Sequence, residues 1–287
     1  MKILAFGEVL WDIYPDKKFI GGAPLNFAAH LVKHGEEAYM LSAVGDDDLG
    51  EETLYAVKKL GVGTKYISVL NNIPTGRCDV TLDNNAVPSY DLKSNVAYDY
   101  INFENISEDF DVLYFGTLAN RSEFNFTSLT RLLADKRFKE IFCDVNIRAP
   151  FYDVDTVKLC FKKATIIKIS SEEMSVVCNL LNLPVTGYEE FAKTVSSLYT
   201  NLKIIIITLG ENGAICYDCA SDSLFKCSAH KVRVVSTVGA GDSFSAAFLH
   251  KYMKKYDLSS CLEHASRVSG FVVANKSAVP DYDLKFI

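Results

Sequence analysis

The sequence predicts an α/β fold built around a largely parallel central sheet. Short apolar runs alternate with segments of helical periodicity along the chain, and this alternation is typical of βαβ units. The length of 287 residues allows a sizeable core. With 49% hydrophobic and 23% charged residues, the composition is that of an ordinary globular protein. Because no linker or repeat interrupts the pattern, we expect a single domain over residues 1–287.

The strands of the main sheet are predicted where short apolar, β-branched runs occur. These runs are Ile3 to Phe6, Ala38 to Ala43, Val112 to Tyr114, Ile141 to Val145, Ile166 to Ile169 and Ile204 to Thr208. Helices are predicted between them, where apolar residues recur every three or four positions. These segments are Pro24 to His34, Leu49 to Leu60, Glu123 to Ala134, Asp155 to Lys163, Glu172 to Asn182, Tyr188 to Tyr199, Gly241 to Met253 and Ser259 to Asn275.

Two segments, at about 11–22 and 75–100, break this alternation. Within the second, Arg77 to Leu82 and Ser89 to Leu92 are predicted as strands that are joined through Asp83-Asn84-Asn85. We expect the two segments to form a small sheet over one end of the main sheet. Ligands of open α/β folds bind beyond the carboxyl ends of the strands, so such a sheet would act as a lid.

A hairpin is predicted from two further runs, Ala214 to Cys219 and Leu224 to Val235. Its cysteines and a following histidine have a spacing that is compatible with a zinc site: Cys216, Cys219, Cys227 and His230. Residues three apart along a strand point to opposite faces, which favours free thiols instead.

The charge balance favours small ligands over polymers. A net charge of −6 and a pI near 5.5 argue against a nucleic-acid surface, which needs a basic face. No apolar run approaches the length of a membrane span, and the N-terminal run is too short for a secretory signal. We therefore expect a cytoplasmic protein that contacts neither nucleic acid nor membrane, and whose eight cysteines are free thiols.

The segment from Val234 to Phe244 carries the strongest chemical signal. It is predicted as a strand that enters a small-residue turn, Gly239-Ala240-Gly241, and then a helix that carries Asp242. Free backbone N–H groups and the helix dipole make such a turn an anion site. A carboxylate beside a phosphate site is explained if it accepts a proton from the attacking hydroxyl. A purely structural first-turn aspartate is the alternative reading.

A second glycine turn, Gly21-Gly22, precedes a predicted helix with Pro24 near its start. Paired glycines let a ligand approach the backbone closely. Asp12 and Asn26 supply an acceptor and an amide that could hold the hydroxyls of a sugar. The same pattern would also suit a simple helix-initiating turn.

Together, the segments Gly21 to Asn26 and Gly239 to Phe244 resemble the two signatures of the ribokinase-like (PfkB) carbohydrate kinase family. The segment Asp144 to Arg148 resembles the D-x-N-x-R motif of that family, and Thr208 to Gly213 its T-x-G-x-x-G loop. The resemblance implies a three-layer α/β/α domain with a small β-sheet lid, which binds a sugar, ATP and Mg²⁺. Neither a P-loop nor a complete dinucleotide fingerprint occurs in the sequence.

The resemblance also implies roles for individual residues. Asp242 would be the general base, assisted by Arg148, and the amides of Gly239, Ala240 and Gly241 would form the anion hole. Sugar contacts would come from Asp12, Gly21, Gly22, Asn26 and Arg148. The nucleotide would contact Ser170, Thr208, Gly210, Gly213 and Asn275. Glu173 would meet Mg²⁺ through water, although Ser170 and Glu173 also have the spacing of a helix capping box.

The resemblance is strongest to the fructokinase branch, through Gly7 to Asp12 and Gly21 to Leu31. Kinases of the acid 2-keto-3-deoxygluconate typically have a tyrosine-arginine pair in the lid, whereas here Tyr90 is followed by Asp91. This difference favours D-fructose, although Lys93 or Arg77 could compensate. The alternatives are a 2-keto-3-deoxygluconate, ribose or nucleoside kinase, or a non-catalytic sugar-binding or regulatory protein.

Two further expectations concern ions and assembly. Ser236 replaces an aspartate that contributes to a monovalent-cation site in several family members, which puts K⁺ activation in doubt. The strands from Arg77 to Leu92 could offer an edge for a homodimer through the lid.

Overall fold

A computed structural model of the chain describes residues 1–82, 88–104 and 106–283. Its strands are β1 (Lys2–Phe6), β2 (Leu10–Ile13), β3 (Lys18–Gly21), β4 (Glu37–Gly45), β5 (Gly63–Leu70), β6 (Arg77–Leu82), β7 (Pro88–Leu92), β8 (Val112–Phe115), β9 (Glu140–Asp144), β10 (Ile166–Ser170), β11 (Ile204–Thr208), β12 (Ala214–Asp218) and β13 (Ser223–Cys227). Its α-helices are α1 (Ala23–Lys33), α2 (Asp48–Lys59), α3 (Glu123–Asp135), α4 (Val154–Lys163), α5 (Ser171–Leu181), α6 (Tyr188–Leu198), α7 (Ala240–Met253) and α8 (Leu258–Val273).

The main sheet has nine strands, in the order β13-β12-β11-β10-β9-β8-β1-β4-β5. Its strands pair in parallel from β11 to β5, whereas β12 runs antiparallel to both of its neighbours, β11 and β13. One face of the sheet packs on residues of α3 to α6, among them Leu129, Val177 and Phe191. The other face packs on α1, α2, α7 and α8, through residues such as Phe27 and Phe248. These three layers confirm the predicted α/β/α fold.

The predicted strands of the main sheet and the predicted helices are confirmed, and their ends differ from the prediction by at most two residues. Strand β5 was not expected, because an edge strand with polar residues such as Lys65 and Ser68 lacks a continuous apolar run. The strand predicted from Leu224 to Val235 is too long, since β13 ends at Cys227. The amides of Val235 and Ser236 both donate to the carbonyl of Val273 at the end of α8. The approach to Gly239 is therefore tied to a helix and is not a strand.

A small sheet lies beyond the carboxyl end of β1, in the order β3-β2-β6-β7. Strand β2 pairs in parallel with β6, with Asp12 opposite Cys78. The indole of Trp11 in the small sheet donates to the hydroxyl of Thr53 over 2.8 Å. This hydrogen bond joins the small sheet to α2. The predicted turn Asp83-Asn84-Asn85 lies outside the described residues. A homodimer through this sheet stays a prediction.

The helices that follow the two glycine motifs have uncapped starts. Asp47, Ser122, Asp153, Ser170 and Asp257 cap five other helices with their side chains. In contrast, α1, α6 and α7 follow Gly22, Gly187 and Gly239, which offer no side-chain acceptor. First-turn N–H groups that lack a side-chain cap are available to a ligand.

The predicted cysteine cluster spreads over two strands and a loop. Cys216 is buried, whereas Cys219 and Cys227 are partly exposed, and all are free thiols. Within the residues that the structure describes, no group of three or more histidine, cysteine, aspartate or glutamate side chains is arranged to hold a metal ion. No helix in these same residues is both long and apolar enough to cross a bilayer.

Candidate active site

Helices α1 and α7 meet at Asn26 and Asp242. The side-chain amide of Asn26 donates to Oδ2 of Asp242 over 2.8 Å. Asn26 is buried, and its own backbone N–H donates to the carbonyl of Gly22, so α1 fixes the amide in place. The two residues that the sequence assigned to the sugar and to the base are therefore in direct contact.

The surroundings of Asp242 suit a base that works near neutral pH. Burial raises the pKa of Asp242 to about 6, and the negative charge of Asp144 adds to this rise. The hydrogen bond from Asn26 and the positive charges of Lys168 and Arg148 oppose the rise in pKa. A carboxyl group with this pKa is mostly ionised at pH 7 and is a better proton acceptor than an ordinary aspartate.

The turn that precedes Asp242 requires glycine at its first position. Gly239 has a φ of 80°, and a Cβ there would lie 2.5 Å from the carbonyl oxygen of Ala278. The N–H of Ala240 donates to the carbonyl of Thr237, so this member of the predicted anion hole is already engaged. The N–H groups of Gly241 and Asp242 have no partner among the described residues. The contacts of the predicted anion hole, Gly239, Ala240 and Gly241, to a phosphate stay predictions.

A buried lysine lies beneath this turn. The ammonium group of Lys168 contacts both carboxylate oxygens of Asp144, at 2.8 and 2.9 Å, and both side chains are buried. A Cβ on Gly241 would lie 3.1 Å from the Lys168 nitrogen. Burial lowers the pKa of Lys168, but Asp144, Glu173 and Asp242 together raise it above its usual value, so the lysine stays charged. This cation was missed by sequence reasoning, although a lysine inside the apolar run of β10 was a signal.

Glu173 connects the start of α5 to the loop that carries Arg148. Its carboxylate accepts the N–H of Ile147 over 2.6 Å and the N–H of Ser170 over 2.8 Å. The hydroxyl of Ser170 accepts the N–H of Glu173, which completes the predicted capping box. Both carboxylate oxygens are therefore engaged with backbone. The predicted contact of Glu173 to Mg²⁺ through water stays a prediction.

On the side that is predicted to bind the sugar, Arg148 is within electrostatic reach of both Asp12 and Asp242. Arg148 is exposed, and its positive charge opposes the rise in pKa that burial causes at Asp12 and at Asp242. A Cβ on Gly21 would lie 3.4 Å from the Asp12 carboxylate, and one on Gly22 would lie 2.4 Å from the carbonyl of Glu8. Position 22, where φ is 115°, therefore has room only for glycine.

Glu8 is a further buried acid that sequence reasoning did not single out. It is 3% exposed, and its carboxylate accepts the N–H of Ala23 over 3.2 Å. The pKa of Glu8 is raised to about 7, mainly by burial and also by the charge of Asp242, whereas hydrogen bonds and Arg148 oppose the rise. A carboxylate two residues after the apolar strand β1 was the available signal.

The predicted nucleotide residues lie at the ends of β10 and β11, in the turn before β12 and just after α8. Thr208 ends β11, and Gly210 has a φ of 56° in open surroundings, since a Cβ there would have no atom within 4 Å. Gly213 is required by packing, because a Cβ there would lie 1.9 Å from the carbonyl oxygen of Cys227. Asn275 donates its side-chain amide to the carbonyl of Phe271 at the end of α8. The contacts of these residues to a nucleotide stay predictions.

The chain is similar to known carbohydrate kinases over nearly its whole length. The sequence profile of the pfkB family carbohydrate kinases matches residues 10–283. The probable fructokinase-5 of Arabidopsis thaliana is 26% identical to the chain, over 97% of this chain and 93% of the plant protein. The 5-dehydro-2-deoxygluconokinase of Clostridium perfringens is also 26% identical, over 92% of this chain and 81% of its own length.

The fold is similar to that of a solved structure, an uncharacterized sugar kinase from Pyrococcus horikoshii in complex with ATP. The TM-score is 0.81, the identity is 24%, and the match covers 99% of this chain and 96% of that one. At this identity the likeness concerns the fold alone.

Proposed function

The chain belongs to the pfkB family of carbohydrate kinases, and within that family we propose that it is an ATP-dependent fructokinase. The reaction converts D-fructose and ATP to fructose 6-phosphate and ADP. The observation that carries this proposal is the placement of the Asp242 carboxylate at the unpartnered first-turn amides of α7, where it is held by Asn26.

In the proposed reaction, Asp242 accepts the proton of the primary hydroxyl of the sugar. The hydroxyl oxygen forms a bond to the γ-phosphorus of ATP, and the bond from that phosphorus to the β,γ-bridging oxygen breaks, so that ADP leaves. The pKa of about 6 at Asp242 supports this role, because the carboxylate is ionised at neutral pH.

The negative charge on the transferring group has three partners in the protein. The amides of Gly241 and Asp242 lie at the positive end of the α7 dipole. Lys168 lies directly beneath Gly241. Arg148 has the planar, bidentate geometry that suits phosphoryl oxygens. Mg²⁺ that enters with the nucleotide would neutralise further phosphate charge, and Glu173 is the residue that we expect to contact it through water.

The ion pairs of the small sheet favour a neutral sugar over an acid. Lys93 pairs with both Asp91 and Asp79, and Arg77 lies 3.4 Å from Asp79. Lys93 and Arg77 are the two cations that could have replaced the lid arginine that is typical of 2-keto-3-deoxygluconate kinases. Because both already face carboxylates, a substrate carboxylate would have to compete with them. A kinase of an acid sugar is the second candidate, favoured by the similarity to the clostridial 5-dehydro-2-deoxygluconokinase.

A coupled assay of ADP release over a substrate panel tests the proposal. The panel contains D-fructose, 2-keto-3-deoxygluconate, 5-dehydro-2-deoxygluconate, D-ribose and a nucleoside, each with ATP and Mg²⁺ and with either K⁺ or Na⁺. We expect kcat/KM to be highest for D-fructose, and phosphorus NMR to identify a phosphate ester at O6. A higher kcat/KM for either acid would replace fructose by that acid. Calorimetric binding of a sugar without turnover of any substrate would instead indicate a sugar-binding or regulatory protein.

A further inference from the structure

Glu8 contacts the start of α1 with both its backbone and its side chain. Its carbonyl oxygen lies so close to Gly22 that a Cβ there would be 2.4 Å away. Its carboxylate accepts the N–H of Ala23, the first residue of α1. Gly22 gives α1 no side-chain cap, so a carboxylate from outside the helix takes that place and interacts with the helix dipole.

The same turn of α1 holds Asp242 on its other side. The N–H of Asn26 donates to the carbonyl of Gly22 over 2.9 Å, and the Asn26 side chain donates to Asp242 over 2.8 Å. Two carboxylates therefore hold one helical turn, Glu8 at Ala23 and Asp242 at Asn26. A displacement of the turn at Ala23 would move the amide that orients Asp242.

Glu8 is also in electrostatic contact with the reaction centre. The negative charge of Asp242 raises the pKa of Glu8, and the positive charge of Arg148 lowers it. From the other elements around it, the groups that interact with Glu8 are Arg121, which follows β8, and the buried Tyr98 and Tyr114. Burying a carboxylate costs free energy, and an apolar residue after β1 would avoid that cost. Its presence therefore calls for an explanation beyond core packing.

We propose that Glu8 is a positioning residue for phosphoryl transfer, which fixes the turn from which Asn26 orients Asp242. This inference rests on the proposed kinase activity with Asp242 as the base. Because Glu8 touches α1 and not the reacting atoms, its effect reaches the reaction through Asn26.

Two substitutions separate the charge of Glu8 from its hydrogen bond. In Glu8→Gln, an oxygen remains to accept the Ala23 N–H, so we expect kcat to stay within about twofold of the wild type. The acid limb of kcat/KM against pH should also stay in place, because Glu8, with a pKa of about 7, is already mostly protonated where Asp242, with a pKa of about 6, titrates. In Glu8→Leu the acceptor is lost as well, and we expect kcat to fall about 10- to 100-fold through misplacement of Asn26 and Asp242, with the KM for ATP unchanged.

The matched control is Glu123→Gln, which makes the same change in the exposed first turn of α3. Melting temperatures of all variants show that each is folded at the assay temperature. A Glu8→Gln protein that is folded but loses as much kcat as Glu8→Leu would overturn the proposal. So would a Glu8→Leu protein that is folded and has the wild-type kcat.

A measurement without substrate separates this inference from the proposed function. Carboxyl-carbon NMR titration follows Glu8 and Asp242 in the wild type, in Glu8→Gln and in Asp242→Asn. We expect Asp242→Asn to lower the titration midpoint of Glu8, because the charge of Asp242 raises the pKa of Glu8. If the wild type phosphorylates no sugar while the two groups titrate as a coupled pair, the kinase assignment fails and the Glu8 contact stands. If the sugar is phosphorylated but the two groups titrate independently, the Glu8 proposal fails alone.

Discussion

The side-chain nitrogen of Asn26 lies 2.8 Å from Oδ2 of Asp242, although 216 positions separate the two residues in the chain. This contact joins the first turns of α1 and α7, so the two glycine motifs belong to one site. It also gives Asn26 a second task. Besides its predicted contact to the sugar, it orients the carboxylate that we propose as the base.

The first prediction concerns the base itself. Asp242→Asn removes the proton acceptor, and positioned base catalysis typically contributes about 10²- to 10⁴-fold. We expect kcat to fall by about that factor, while calorimetry still detects the binding of sugar and nucleotide. Asp155→Asn, the same change in the exposed first turn of α4, is the control and should leave kcat unaltered. Wild-type turnover by the Asp242 variant would remove this residue from its role.

The second prediction concerns the amide of Asn26. Its hydrogen bond lowers the pKa of Asp242, so Asn26→Ala should raise that pKa. The acid limb of kcat/KM should then move to higher pH. For a shift of one pH unit from the pKa of about 6, the loss of activity at pH 6 should be about fivefold larger than that at pH 8. Loss by the same factor at all pH values would show that Asn26 acts only on substrate binding.

The third prediction concerns Glu173. Glu173→Gln keeps one acceptor for the backbone amides of Ile147 and Ser170 but places an NH₂ group against the other. We expect the Arg148 loop to shift, kcat/KM for the sugar to fall about tenfold, and the half-saturating concentration of Mg²⁺ to rise. Glu172→Gln alters the exposed neighbour in the same helical turn and is the control. An unchanged Mg²⁺ requirement in Glu173→Gln would leave only the positioning role.

The fourth prediction concerns a cluster of histidines between α1, α7 and α8. The ring centroid of His34 lies 4.8 Å from that of His250 and 5.3 Å from that of His264. Nδ1 of His34 lies 2.7 Å from the carbonyl of His30 and therefore donates, so Nε2 accepts from Nε2 of His264 at 3.1 Å. This arrangement requires the His34 ring to be neutral.

Burial lowers the pKa of His34 to about 4 and that of His264 to about 3. Because histidine in an unfolded chain has a pKa near 6.5, the unfolded state binds more protons below that pH, and the free energy of unfolding should fall between pH 6.5 and 4. Each neutral histidine contributes a slope of up to about 1.4 kcal/mol per pH unit. His264→Asn keeps a donor for His34 but removes one titrating ring. The slope should therefore fall by up to about 1.4 kcal/mol per pH unit, which corresponds to one proton.

Urea unfolding at pH 7, 6, 5 and 4 measures this dependence. The exposed His230 provides the control, because His230→Asn makes the same change outside the cluster. A slope in His264→Asn equal to that of the wild type would contradict the expected titration of this ring.

The sequence was sufficient to predict elements and motifs that are defined by local patterns. The strand and helix periods, the capping box at Ser170 and the glycine turns all depend on residues within a few positions of one another. The same holds for Asp242, which follows its turn directly. It was not sufficient for the segment between β13 and α7, because the amides of Val235 and Ser236 bind a carbonyl of α8 that is distant in sequence.

Buried charges were the main omission at the site. Lys168 is recognised as a functional residue only when Asp144 is seen to face it from the neighbouring strand. Glu8 is recognised only when Ala23 and Asp242 are seen beside it. Both lie in apolar surroundings in the sequence, where a charge is costly unless a distant partner is supplied. Such partners depend on the tertiary fold.

The pairing of Lys168 with Asp144 has a consequence for the order in which the pocket can fill. Four carboxylates converge here, at Glu8, Asp12, Asp144 and Asp242, against two side-chain cations, Lys168 and Arg148. Since Asp144 already satisfies Lys168, the cleft by itself offers a polyphosphate little net attraction at long range. We therefore expect a nucleoside triphosphate to bind together with its own counter-ions. Salt that displaces these counter-ions should slow the binding of the nucleotide before it slows the chemical step.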